Sequence, residues 1–210
     1  MDQITFLIFQ LAVLIFSVMI HELSHGYVAE YLGDPTARLA GRLTFNPLNH
    51  LDFFGSFIFP VFLFMVSGGS FVFGWAKPVP YNPVYLKDPK SGSGKIAAAG
   101  PVSNLIIAVA FGILLRALPL LGYSANSVLY EFFAYISYIN VLLAIFNLVP
   151  LPPLDGSKVL FSVLPQSESS MRLGIFLERY GIILFLMFVF FGFQLIAPVV
   201  HWLFGLITGF

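Results

Sequence analysis

From Ile4 to Ile20 the chain carries no ionisable side chain, and the same segment then runs on to Tyr31 through His21, Glu22 and His25. Crossing a bilayer takes about 20 predominantly apolar residues, so the stretch is long enough to span. Ionisable groups at membrane depth are costly and are kept where they serve a function. The segment therefore dictates a membrane helix with a polar cluster near its far end. Composition extends the argument to the whole molecule: 59% of the 210 residues are hydrophobic and 10% charged, with 25 phenylalanines. A soluble domain is nearer half apolar and a quarter charged. Polar groups cannot cover such a surface, so lipid must. The first segment lacks the basic leader and small-residue cleavage site of a signal peptide and is read as retained.

Further apolar runs at 96–121, 128–149 and 181–204 predict core helices and a C-terminal helix over 178–207. Gly33-Asp34-Pro35 ends the first helix. Residues 36–50 alternate roughly and predict short strands or an extended loop. Phe53–Phe73 is apolar but interrupted by Gly55, Pro60, Gly68 and Gly69, and 77–95 reads as a proline-rich polar loop. The expectation is an all-α membrane protein with about four transmembrane helices, a re-entrant segment and a short β element. It forms a single domain, 1–210, with a metal helix at 4–31, a β/re-entrant region at 36–76 and no soluble module. Ten basic residues balance ten acidic ones, which argues against a nucleic-acid partner, and no cysteine is present for disulfides, thiolate ligands or a thiol nucleophile.

His21 and His25 lie four apart, so a helix puts both on one face, where they can grip one metal ion. Glu22 completes H-E-x-x-H, the zinc-hydrolase pattern in which the glutamate is the general base. The bland alternative is a helix end whose polar residues meet the membrane boundary and bind nothing. Catalytic zinc usually takes three protein ligands, and Asp155, in the turn 150–164, is the best third candidate. Prolines there interrupt the helix and Gly156 permits a tight turn. The alternative for Asp155 is an N-cap for a helix beginning near Ser157.

"HELSH", "AGPVSN" (99–104) and "NLVPLPPLDG" (147–156), in that order, resemble the site-2 protease family of intramembrane zinc metalloproteases. "LTFNPLNHLDFFG" and "GWAKPVPYNP" resemble its compact bacterial and archaeal branch, which lacks PDZ and CBS modules. The similarity covers most of 15–165. The resemblance implies zinc held by His21, His25 and Asp155, with Glu22 as base. It implies that Asn104 and Asn147 help hold the substrate or the catalytic core. The activity implied is cleavage of peptide bonds in or near transmembrane segments of membrane proteins or signal-peptide-like substrates. One departure is local: the branch often has proline after the aspartate of its "NPLxHxD" stretch, whereas Phe53 follows Asp52 here.

A shared metal also constrains topology. His21 lies about 26 Å along a helix starting at Ile4, and Asp155 lies beyond the far end of 128–149. For both to meet one ion, an odd number of crossings must separate the two helices, so one of 53–73 and 96–121 does not cross. The interrupted segment 53–73 is the weaker, and it is expected to re-enter or lie at the surface. Lysines and arginines then divide nine to one, against seven to three for a full crossing. The positive-inside rule favours the former and puts the metal toward the cytoplasm. Residues 36–50 are expected to offer a strand edge to extended substrate. Asn104 or His50 is expected to stabilise the oxyanion, against the bland readings of a helix-packing hydrogen bond for Asn104 and a loop histidine for His50. His201 reads as interfacial. The rival function is a membrane metal transporter or metal-binding protein using the same ligands, although ionisable residues form no path across the bilayer. An inactive scaffold is a third reading, against which the intact Glu22 argues.

Overall fold

The computed structural model describes residues 2–66, 74, 77–124 and 126–209. Helix α1 (Gln3–Tyr31) starts at Asp2, whose side chain accepts the Thr5 N–H at 2.7 Å. Just past its end, the buried Asp34 carboxylate takes the N–H and hydroxyl of Thr36 and the N–H of Asn82, the last at 2.5 Å. That one side chain fixes α2 (Thr36–Leu39) and pins a distant loop to the end of α1. A π-helical turn (Phe54–Ile58) leads into α3 (Phe59–Val66). The long helices α4 (Pro89–Ala117) and α5 (Val128–Asn147) follow, then the short α6 (Asp155–Val163). Helices α7 (Glu168–Met187) and α8 (Phe193–Thr208) are joined by a second π-helical turn, Phe188–Gly192.

Among the described residues four stretches are long and apolar enough to cross a membrane: Gln3–Tyr31, Pro89–Leu121, Val128–Asn147 and Glu168–Thr208. Large apolar side chains such as Ile4, Ile8, Ile106, Ile113, Phe191 and Leu195 face outward along them. A surface of that kind is stable in lipid, and the protein is a multi-pass membrane protein.

Side-chain pairs give the direction of each helix. Phe9 stacks on Phe132 with centroids 4.0 Å apart, Ser17 meets Asn140, and His21 meets Asp155, so α1 and α5 ascend together. Helix α4 descends between them, as Ile96 bonds His25, Asn104 bonds His21, and Phe111 packs edge-on to Phe133. Helix α8 runs against α5, with Tyr138 touching Phe204 and Val141 packed with Val200 and Ala108. The end of α1 and the start of α4 therefore lie at the same end of the bundle, as parity requires. His50 and Lys77 meet: the Lys77 N–H donates to the His50 carbonyl at 2.9 Å. Arg42 clamps the same place by donating to the Lys77 carbonyl at 2.7 Å. Between His50 and Lys77, Phe54–Val66 is helical for 13 residues, about 20 Å of helix. Residues 67–73, the expected return limb, lie outside the described residues.

Three expectations change. Among the described residues there is no β-strand: 36–50 folds as α2, a turn and a 3-10 turn at Pro47–His50. The alternation there reflects side chains buried one by one (Ala37, Arg42, His50) without a partner strand. The expected polar loop 77–95 ends early, because Asp88 caps the Lys90 and Ser91 N–H groups and starts α4 at Pro89. The C-terminal helix begins ten residues sooner than 178, at Glu168, where Ser167 caps the Ser170 N–H.

Candidate metal centre

His21 and His25, one turn apart on α1, are 6% and 9% exposed and face α4 and α6. Each ring is held through Nδ1. That of His21 lies 2.6 Å from Asn104 Oδ1, and that of His25 lies 2.7 Å from the Ile96 carbonyl oxygen. Carbonyl oxygens only accept, so each Nδ1 carries a proton. Both Nε2 atoms then present a lone pair, and both point at one oxygen, Asp155 Oδ2, at 3.1 Å each.

Two local features bring Asp155 there. Pro150, Pro152 and Pro153 lack N–H groups, so the chain leaves α5 through short turns closed by Leu151 N–H to Val149 O and Leu154 N–H to Leu151 O, both 2.8 Å. Asp155 is then the first residue of α6, after Leu154 at the cap position, and makes no capping bond. The N-cap alternative therefore does not hold, and the carboxylate is left for the histidines. Gly156 earns its place through close approach, because a Cβ there would come within 2.2 Å of the Leu148 carbonyl oxygen. Gly100 of α4 plays the same part beneath the rings. A Cβ on it would lie 2.5 Å from His21 Cε1 and Nε2 and 2.6 Å from His25 Cε1.

Three acceptor atoms cannot face one another without positive charge between them. Protonating both rings would put two imidazolium groups 4.7 Å apart, centroid to centroid. A divalent cation answers the arrangement better. Zinc bonds of about 2.0 Å in a tetrahedron set neighbouring ligand atoms roughly 3.3 Å apart, close to the 3.1 Å seen for each Nε2–Oδ2 pair. A carboxylate at Asp155 gives such an ion the negative charge that two neutral imidazoles do not supply.

Ligand atoms of His21, Glu22 and His25 all lie within 4.8 Å of one another, so the glutamate stands beside the same point. Its Oε2 accepts the Val79 N–H at 3.0 Å. Val79 sits between Pro78 and Pro80, so this is the one backbone donor in that triplet.

The other expected residues part company. Asn104 is brought into the centre, fully buried behind His21, with both ends of its amide hydrogen-bonded. Asn147 ends α5, half-buried, and its amide donates to Leu143 O of the same helix at 2.9 Å. His50 is buried in its own loop, with Nε2 2.8 Å from the Thr44 carbonyl oxygen and Nδ1 unpartnered among the described residues. His201, itself exposed, lies on α8 beside Tyr138. Neither Asn147, His50 nor His201 bonds to the His–Asp cluster. Sequence reasoning missed Asn140, Ser17 and Val79. An asparagine inside the apolar run 128–147 was the available signal for the first.

Residues 121–190 match Peptidase family M50. YwhC of Bacillus subtilis, named as a zinc metalloprotease, is 40% identical over 177 residues, covering 82% of this chain and 76% of its own length. The chain belongs to the site-2 protease family, peptidase family M50. Two further relatives are also named as zinc metalloproteases. Rip2 of Mycolicibacterium smegmatis is 30% identical over 143 residues, 67% of this chain and 51% of Rip2, so the chain spans about half of that relative. MJ0611 of Methanocaldococcus jannaschii is 44% identical over 68 residues, 32% of this chain and 33% of its own. No solved structure matches significantly. The M50 match begins after α4 and takes in Asp155, while the H-E-x-x-H stretch lies before it.

Proposed function

We propose that this chain is a zinc-dependent intramembrane endopeptidase, with His21, His25 and Asp155 as metal ligands and Glu22 as general base. The observation that carries the reading is the aim of two Nε2 lone pairs at one Asp155 oxygen, 3.1 Å from each, with both Nδ1 atoms already occupied. The chemistry that zinc supplies when bound is Lewis acidity toward a peptide carbonyl and toward water. Glu22 takes the proton of the attacking water and passes it to the leaving amine. The Val79 N–H keeps that carboxylate oriented. Asn104 is committed to His21, so it serves the catalytic core, and Asn147 is the asparagine left to contact substrate.

The centre lies toward the far end of α1, on a helix long and apolar enough to cross the membrane. Peptide bonds in or beside membrane-spanning segments, including signal-peptide-like ones, are the substrates such a position serves. The apolar helix Phe54–Val66 enters the membrane from the metal side as the first limb of the expected re-entrant segment, a reading supported by the His50–Lys77 hydrogen bond. Nine of the ten lysines and arginines belong to the metal end of the bundle, with Arg116 opposite, so that end faces the cytoplasm.

The test is cleavage of a membrane-anchored substrate by the full chain reconstituted in vesicles. Glu22→Gln is expected to retain zinc and to lose cleavage by at least about 100-fold, as for a general base. Normal cleavage by Glu22→Gln overturns the assignment. Zinc transport across vesicles without any cleavage favours the transporter.

A further inference from the structure

Resting on that metal-site reading, we propose that Asn140 is a positioning residue for the metal. It orients the Asn104 amide so that its oxygen faces His21, and thereby decides which nitrogen of His21 is free to bind. Among the described residues the chain of contacts is fully buried: Asn104 and Asn140 are both 0% exposed and Ser17 is 4% exposed. It joins α1, α4 and α5 at one level.

The logic is one of donors and acceptors. An asparagine amide has nearly the same shape either way round, so only its partners choose the orientation. Reversed, Asn104 would turn its NH2 toward His21 Nδ1, favouring a lone pair there and a proton on Nε2. That tautomer has no electron pair for the cation. What opposes reversal is the far end of the amide, where Nδ2 donates to Asn140 Oδ1 at 2.8 Å and, over a longer 3.4 Å, to the Ser17 carbonyl. Asn140 is itself locked, since its Nδ2 donates to the Ile136 carbonyl and to Ser17 Oγ, both at 2.9 Å. The Ile136 carbonyl can only accept, so Asn140 cannot reverse without setting oxygen against oxygen. A backbone carbonyl of α5 thus sets the proton position on His21 through two side-chain amides.

The experiment is zinc affinity of the purified full chain, by competition with a chromophoric chelator, in a double-mutant cycle. Asn140→Leu is expected to weaken zinc binding about 10–100-fold, the usual cost of losing a partner behind a ligand. Asn104→Asp supplies the cycle's second background. A carboxylate accepts at both ends and needs no orienting, and its second oxygen would face Asn140 Oδ1. In that background Asn140→Leu is expected to cause no loss. Equal losses in both backgrounds overturn the proposal, because simple packing predicts them. Asn140→Ala replaces the leucine variant if the latter is not monodisperse, with the same expectations. His21→Ala measured alongside separates the two readings. If it loses zinc while Asn140→Leu binds like wild type, only the Asn140 inference falls. If it keeps zinc, the metal site falls and the inference with it.

Discussion

Replacing Gly100 by alanine adds one methyl group to the floor of the metal centre. The new carbon would lie 2.5 Å from His21 Cε1 and Nε2 and 2.6 Å from His25 Cε1. Carbon atoms rest about 3.5–4.0 Å apart, so rings and helix must separate by roughly 1 Å. Neither ring can give way at its Nδ1 side without stretching the 2.6 Å and 2.7 Å bonds to Asn104 and Ile96. The shift therefore falls on the Nε2 atoms, whose common focus is Asp155. A misplacement of about 1 Å at a reacting centre costs on the order of 100-fold in rate, and zinc affinity is expected to fall about 10–100-fold. Overpacking alone costs about 1–3 kcal/mol of stability, so a control must separate the two effects. Gly112, lower on α4, supplies it: a Cβ there meets Ile207 Cγ2 at 2.2 Å, far from the histidines. Gly112→Ala is expected to lower thermal stability while leaving zinc affinity within about threefold of wild type, well short of the loss expected when a hydrogen bond behind a ligand is broken. Chelator competition and metal analysis on both purified variants make the comparison. If Gly100→Ala binds zinc as tightly as wild type, the rings do not rest on α4 in the way described.

Val79→Pro removes the N–H that Glu22 accepts, whereas Val79→Ala keeps it. Turnover is expected to drop for the proline variant by no more than a lost hydrogen bond to a charged group, about 1.5–3 kcal/mol, with zinc binding intact and the alanine variant near wild type. Equal activity in both variants would show that Glu22 needs no such tether. The chain has no cysteine, so single cysteines at Pro80 and Gly122, both exposed, can be labelled cleanly. Membrane-impermeant reagent is expected to reach them from opposite faces, and labelling from one face would refute the direction assigned to α4.

The convergence of His21, His25 and Asp155 was legible because the ligand chemistry expected of them imposes strict spacing. His21 and His25 must share a helix face, and with no cysteine in the chain Asp155 stood out beside a helix-breaking run of prolines. Parity then constrained the path of the chain, and the antiparallel course of α4 between α1 and α5 agrees with it. The start of α4 was hidden because "KSGSGK" has weak helix propensity, which the Asp88 cap and contact with α6 override. The alternation in 36–50 misled because burial of Arg42 and His50 depends on Lys77 and Thr44 in other turns. Asn140 escaped notice for a related reason. Its value lies in contacts with α1 and α4, and spacing along a single helix reveals nothing of them.

The side chains that converge on one point come from distant parts of the chain, His21 and Asp155 being 134 positions apart. A ribosome adding about 5–20 residues each second needs roughly 7–27 s to travel that far. On the proposed ligand assignment, a product truncated before residue 155 lacks one of the three ligands and is expected to cut nothing. On that assignment proteolytic competence arrives late in synthesis, only once the aspartate turn has been added to the chain.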